Sequence, residues 1–382
     1  MKQILFAGLL SLLFLTCDND KNQYTINGTA KGYEDGTKVI LQGISERGEE
    51  ELKDTAIIND EKFMMKGSVA HPEVNFLKVG KSSNMLTFML ENSDIDITIN
   101  KENIIASEIT GSATQDDMDE FQSGFKAIID KSREVVLDMR NTDHRTEKEK
   151  RDSLSKIIKK YGDEILALPL QFVQKNNDSY FSLNLVGLEA NKPTFDVKRF
   201  KAAFDNFTPE LKASPKGIEI SKKLDSLYTE YKKVEHLDIG KIAPNFEATT
   251  PKGKTISLDA IKGKVTIIDF WAAWCKPCRM ENPKVVKLYN DYKSEGLEII
   301  GVSLDGAPNQ ENPMKAWIDA IEEDQLTWHQ VSNLDYFSGP IAQLYHINAI
   351  PATYILDANG SIVAKNLRGE LLRKKVEELL YN

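Results

Sequence analysis

The sequence predicts a multidomain protein with an all-β N-terminal domain, a central helical region and a C-terminal α/β domain. Three observations carry that prediction. Apolar residues alternate with period two from about residue 23 to 109 and recur at three- and four-residue spacing from about 112; beyond about 237 they fall into buried strands separated by helices. At 382 residues the chain is too long for one ordinary domain, and 41% hydrophobic content with 8% aromatics is enough to build several cores. The net charge of −9 lacks the basic face that a nucleic-acid partner requires, so no nucleic acid is expected.

Taken in order, "MKQILFAGLLSLLFLTC" sets a lysine before an apolar run that suits a signal peptide and is too short to span a bilayer. Residues 1–17 are therefore expected to direct export. Residues 18–111 read as the β domain: "KVILQGI", "DTAIIND", "KFMMKGSV", "VNFLKVG", "NMLTFML" and "DIDITIN" alternate between turn signals such as Asp35-Gly36 and Asn59-Asp60. No catalytic set or metal cluster stands out there. Residues 112–236 read as a helical spacer, with Met118, Phe121, Phe125, Ile128 and later Leu154, Ile157, Tyr161 and Ile165 on helical stripes. Residues 237–382 alternate strand and helix: "VTIIDFW", a helix from Cys275 to about Tyr292, "LEIIGVSLD", "PMKAWIDAIEE", "WHQVS", "GPIAQLYHI", a hairpin of "ATYILD" and "SIVAKNL", and a closing helix "ELLRKKVEELL".

The chemistry concentrates in "DFWAAWCKPCRMENP". A strand that runs into a cysteine at a helix start places the sulfur where unpaired N–H groups and the helix dipole favour negative charge. The thiolate is the nucleophile, so Cys275 is the expected attacker, with Lys276 and Arg279 adding positive charge nearby. Cys278 lies one turn on, close enough to resolve a mixed disulfide on Cys275. Asp269 interrupts an apolar strand, where burial raises a carboxyl pKa; it either takes the proton of Cys278 or is a paired structural acid. Glu281 sits in an early helical turn and is either a second tuning acid or a solvated one.

These residues resemble the active-site segment of thioredoxins, and in particular of the TlpA/ResA-type envelope thioredoxins, over about residues 239–382. The resemblance implies a C-terminal thioredoxin fold in which Trp274 is the tryptophan before the motif, Asp269 the buried acid, Pro283 the helix-kinking proline and Glu281 the acid typical of the envelope subgroup. It also implies that Pro351 is cis, which would expose the backbone of Ile350 for strand-like pairing with a substrate chain. The envelope subgroup often has an amide where this chain has Asp269, a departure toward general thioredoxins. The β domain and spacer resemble a domain of unknown function found ahead of many envelope thioredoxins. "FLTC" resembles a bacterial lipobox, although Thr16 stands where Gly, Ala or Ser is usual; it implies lipidation at Cys17 and a lipid anchor in the cell envelope.

The resulting expectation is an enzyme that exchanges electrons with protein disulfides through Cys275 and Cys278, without cofactor or metal. The Lys-Pro dipeptide resembles reductase motifs, which implies a membrane electron donor of the thiol-disulfide type. Cytochrome apoproteins and misoxidised enzymes are the client classes considered. The rival readings are a zinc or copper site, short of ligands with two thiols and five scattered histidines; a peroxiredoxin-like peroxidase, whose Pro-x-x-x-Thr run is missing before Cys275; and a binding module that keeps only the scaffold.

Overall fold

The computed structural model describes residues 22–44, 49–143 and 146–381. The chain divides at Leu227/Tyr228 into two compact units.

The first unit begins with eight strands: β1 (Tyr24–Thr29), β2 (Lys38–Ile44), β3 (Glu50–Ile57), β4 (Lys62–Gly67), β5 (Glu73–Val79), β6 (Leu86–Leu90), β7 (Asp94–Thr98) and β8 (Glu108–Thr110). They form two four-stranded sheets, β4-β1-β7-β8 and β3-β2-β5-β6, antiparallel except for the β1–β7 pair. Alternation explains the packing. Ile26, Ile95 and Ile97 from one sheet and Val39, Leu41, Leu77 and Phe88 from the other meet in one apolar core, while the intervening residues face outward.

Six helices follow: α1 (Ala113–Asn141), α2 (Lys148–Lys175), α3 (Tyr180–Glu189), α4 (Val197–Asp205), α5 (Pro209–Ala213) and α6 (Pro215–Val234), the last containing the division between units. Ser112 starts α1 as an N-cap, its hydroxyl accepting from the Gln115 amide at 3.1 Å. Phe172 then packs edge to face with Phe121 and Phe181, at centroid distances of 5.4 and 5.6 Å, and these two meet tilted at 5.6 Å. Strand β6 is buried on one face and in part on the other: Leu86, Phe88 and Leu90 point into the sandwich, Met89 joins the helical core with Leu170 and Phe181, and Thr87 stays exposed. The helices thus share a core with the sheet.

The second unit holds a short antiparallel pair, β9 (Glu247–Thr249) and β10 (Thr255–Ser257), and then β11 (Val265–Trp271), α7 (Lys276–Tyr292), β12 (Leu297–Ser303), α8 (Pro313–Glu323), β13 (His329–Ser332), α9 (Pro340–Leu344), β14 (Ala352–Leu356), β15 (Ile362–Lys365) and α10 (Gly369–Tyr381). The five-stranded sheet has the order β13-β12-β11-β14-β15, with β11, β12 and β13 parallel and β14 and β15 antiparallel to their neighbours. All seven residues of β11 are buried, as a central strand covered on both faces must be. The expected all-β, helical and α/β regions are all present.

Gln115 fixes the first helix to the sheet, its side-chain oxygen accepting from the buried Met89 amide at 2.8 Å. Gln115→Ala leaves that donor stranded and is expected to cost about 1–3 kcal/mol, seen as a lower urea midpoint of the first unit by circular dichroism. Fluorescence should not shift, because all four tryptophans lie beyond residue 270. An unchanged dichroism midpoint would rule out this tie.

Candidate active site

Strand β11 ends at Trp271, and the chain turns through Ala272-Ala273-Trp274 into Cys275, the N-cap of α7. Pro277 in the first turn has no N–H to satisfy there and favours the helix start. Cys275 and Cys278 form a disulfide with Cα atoms 5.3 Å apart, and the Cys278 amide donates to Cys275 Sγ at 3.3 Å. That contact is the helix-terminal interaction that favours negative charge on the first sulfur. The two cysteines are only 3% and 2% exposed, whereas Trp274 beside them is 40% exposed, so the pair lies beneath a rim formed by Trp274, Lys276 and Pro277.

The two basic residues of the motif behave differently. Lys276 is exposed and has no partner among the described residues. Arg279 does not add free positive charge: its Nε and Nη2 both bind the Asp324 carboxylate at the end of α8, and Nη2 also meets Glu323 at 2.8 Å. Two carboxylates reached by folding neutralise it. Asn282, also on α7, donates to Asp324 at 2.7 Å.

Behind the disulfide lies a cavity of about 20 Å³ bordered by Asp269, Cys278, Glu281, Pro351, Thr353 and Arg368, large enough for a single water. Asp269 reaches it from the middle of β11, and its carboxylate accepts no hydrogen bond from any described residue. Burial pushes its carboxyl up to about 7; the Arg368 guanidinium opposes the rise and the Glu281 carboxylate adds to it. Glu281 is tied down on both oxygens: one accepts from the Gly369 amide at 2.8 Å, at the N-terminus of α10, and the other meets Lys284 at 2.9 Å.

The Ile350–Pro351 peptide bond is cis. Neither backbone group of Ile350 has a partner among the described residues, while the Pro351 carbonyl accepts from Arg368. The structure therefore gathers Asp269, Glu281, Cys278 and Pro351 around one cavity; Trp274, Cys275 and Lys276 do not line it. Cys17 lies outside the described residues. No group of three or more His, Cys, Asp or Glu is arranged to hold a metal among the described residues.

Two residues absent from the sequence reading also touch the site. Asp305, fully buried just past β12, accepts from the Ala273 amide at 3.1 Å, from Ser303 Oγ at 2.6 Å and from Gln310, and so fixes the turn that delivers Cys275. Its signal was present: "LEIIGVSLD" ends an apolar strand in an acid. Arg368 sits in an exposed loop with no pattern around it, and only the fold brings it to Pro351.

Known proteins resemble two parts of this chain. The AhpC/TSA family matches residues 239–365, and a domain of unknown function, DUF4369, matches residues 24–118. The thiol-disulfide oxidoreductase ResA of Bacillus cereus is 33% identical over 163 residues, covering 41% of this chain and 84% of that protein. The thioredoxin-like protein YneN of Bacillus subtilis is 33% identical over 156 residues, covering 41% of this chain and 86% of that protein. The thioredoxin domain of a thiol-disulfide oxidoreductase from Bacteroides vulgatus is 37% identical, covering 38% of this chain and 99% of that structure, with a TM-score of 0.34. A cysteine pair closed across the first turn of a helix, in a segment one-third identical to nearly the full length of ResA, establishes that the chain belongs to the ResA-type thiol-disulfide oxidoreductases.

Proposed function

We propose that this enzyme reduces protein disulfides through Cys275 and Cys278. The observation that carries the reading is the Cys275–Cys278 disulfide at the N-terminus of α7, backed by the cavity that joins Cys278 to Asp269. In the reduced enzyme the Cys275 thiolate attacks one sulfur of the client disulfide. A Cys275–client bond forms, and the first client thiolate leaves and takes up a proton. Cys278 then gives its proton to ionised Asp269 across the cavity and attacks Cys275 Sγ, which expels the second client thiolate. The client gains two electrons, and the enzyme is left as the disulfide seen in the structure.

The remaining residues have supporting roles in this reading. Trp274 shields the pair, Lys276 places a screened positive charge at the rim, and the unpaired Ile350 backbone beside Pro351 offers strand-like hydrogen bonds to an extended client. Glu281 biases Asp269 through its charge. Exchange with a disulfide is favoured over peroxide reduction because the resolving thiol is one helical turn away and no threonine lies in the 265–274 run before Cys275 other than Thr266, which is buried in β11. Cys17 carries a lipid that holds the chain on the outer side of a cell-envelope membrane, and a membrane thiol-disulfide donor returns the pair to the dithiol.

Cys278→Ser should accumulate mixed disulfides with client proteins on non-reducing gels, and Cys275→Ser should not. The potential of the parent pair should lie nearer thioredoxin's, about −270 mV, than the oxidant DsbA's, about −120 mV. Trapping by the Cys275 variant alone would reverse the two roles, and a potential near the oxidant's would reverse the direction. Incorporation of a lipid precursor should mark the parent and be lost in Cys17→Ser; equal labelling would refute the anchor.

Asp269 makes a prediction whose sign is fixed. Its folded value of about 7 lies above the ordinary 3.8, so between those values the folded chain holds a proton that the unfolded chain has lost. The stability this contributes is complete below about pH 4 and disappears as pH rises through 7. Asp269→Asn should therefore gain on the parent above pH 7 by up to about 4 kcal/mol, at about 1.4 kcal/mol per unit, with the gap closing in acid. Disulfide reduction by the variant should nonetheless slow by about 10²–10⁴-fold and lose its rise through neutral pH. Tryptophan-detected unfolding and rate-against-pH curves check both; an unchanged rate with a loss of stability would return Asp269 to a structural role.

A further inference from the structure

We infer that Tyr336 and Phe337, with Trp274, form an aromatic wall that seats a bulky apolar side chain of the client one or two residues from the cysteine under attack. The inference rests on the disulfide-exchange reading above and adds a determinant of client choice.

The wall begins one residue from the attacking sulfur. The Trp274 ring lies 5.5 Å from Tyr336 and 6.4 Å from Phe337, and the last two meet edge to face at 4.6 Å. Trp274 is 40% exposed and both partners are half-buried, so the cluster shows apolar ring surface to solvent. The Tyr336 hydroxyl has no partner among the described residues.

The loop that carries these rings is held against local preference. Leu334 and Tyr336 have φ of 58° and 54°, a left-handed conformation that neither side chain favours. Gly306 permits it, because a Cβ there would stand 1.9 Å from the Leu334 carbonyl. Three hydrogen bonds hold it: the Tyr336 amide donates to the Asp305 carbonyl at 3.3 Å, the Leu334 amide to Ser332 Oγ at 3.0 Å, and Gln343 Nε2 to the Phe337 carbonyl at 2.7 Å. Asp305 therefore ties this loop to the turn that presents Cys275, since its carboxylate also holds the Ala273 amide. A rigid platform of rings loses little freedom when a side chain docks on it.

The occupant follows from the reaction. A client sulfur must reach Cys275, and an extended chain advances about 3.3 Å per residue, so the side chains flanking that sulfur come within the span of the wall. An aromatic or large aliphatic side chain gains most from ring surface. A charged one would leave its hydration without a buried partner, as the one acid of the loop, Asp335, is itself exposed to solvent.

The test uses the full chain and disulfide-bridged synthetic peptides that differ only in the residue before the first cysteine, Phe, Ser or Lys. Each kcat/KM is divided by the same protein's rate on hydroxyethyl disulfide, which has no side chain to seat. The parent should favour the Phe peptide over the Ser peptide by about 5–10-fold. Tyr336→Asn with Phe337→Ser, in which asparagine tolerates the left-handed backbone, should bring that ratio to about 1–2, and Tyr336→Phe should keep it. A parent ratio near one, a ratio unchanged in the double variant, or a preference for Lys overturns the wall. A parent inactive on hydroxyethyl disulfide overturns the exchange reading beneath it, so the two failures are distinct.

Discussion

Burial of β11 on both faces is the constraint from which the second unit is built. A strand with all seven side chains out of water needs apolar cover on each side. The helix α7 must return beside it directly after Trp271, and that return places Cys275 at the helix start. The same burial makes Asp269 expensive as a charge. On the opposite pleat, Phe270 packs against Tyr345 and Tyr354 with centroids 5.4 and 6.2 Å away, so the strand is held by large rings where it has no chemistry to do. The fold therefore sets the carboxyl on the side of Cys278, with Trp271 on the same pleat, and anchors the other side with rings.

The charges around the pair form a graded set. Arg279 is neutralised by Asp324 and Glu323, Glu281 by Lys284 and the start of α10, and Lys276 is left to solvent. Among these, only Asp269 is both buried and without a hydrogen-bond partner. Arg368 keeps its raised pKa from climbing further while holding the Pro351 carbonyl. One guanidinium thus couples the proton acceptor to the loop beside which a client chain would lie.

Much of this was legible in the sequence, for identifiable reasons. "VTIIDFW" and "PMKAWIDAIEE" bound β11 and α8 to the residue, because a continuous apolar run and a Pro-led amphipathic stretch are strong local signals. The helix expected over "GPIAQLYHI" stops at Leu344, since His346 adopts a φ of 50° and ends it. Apolar stripes in the central helices overstated burial: Phe125 is 40% and Ile157 37% exposed. The charge near Cys275 was misjudged because the partner of Arg279 lies 45 residues away. The central region read as a spacer because its attachment to the sheet is made by scattered residues, Val74 and Met89 packing on the helical core and Gln115 binding the Met89 amide, inside otherwise ordinary alternating strands.

The short span between the cysteines bears on which way electrons run. A disulfide stabilises chiefly by restricting the unfolded chain, and a bridge across three positions closes so small a loop that the chain-entropy relation gives about 2 kcal/mol, against about 4.7 for a 100-residue loop. The fold therefore draws little of its stability from the bridge and stands mainly on its apolar core. At about 1.4 kcal/mol per 30 mV, that loop term is worth only about 45 mV, whereas thioredoxin and DsbA differ by about 150 mV. Every Cys-x-x-Cys pair closes the same loop, so that difference of about 150 mV must come from elsewhere, chiefly from how well each site holds a thiolate. Here the helix N-terminus supplies one favourable contact, Arg279 supplies no free charge, and Lys276 is screened by water. Of these, the Cys278 amide contact on Cys275 Sγ is the one that the fold itself fixes.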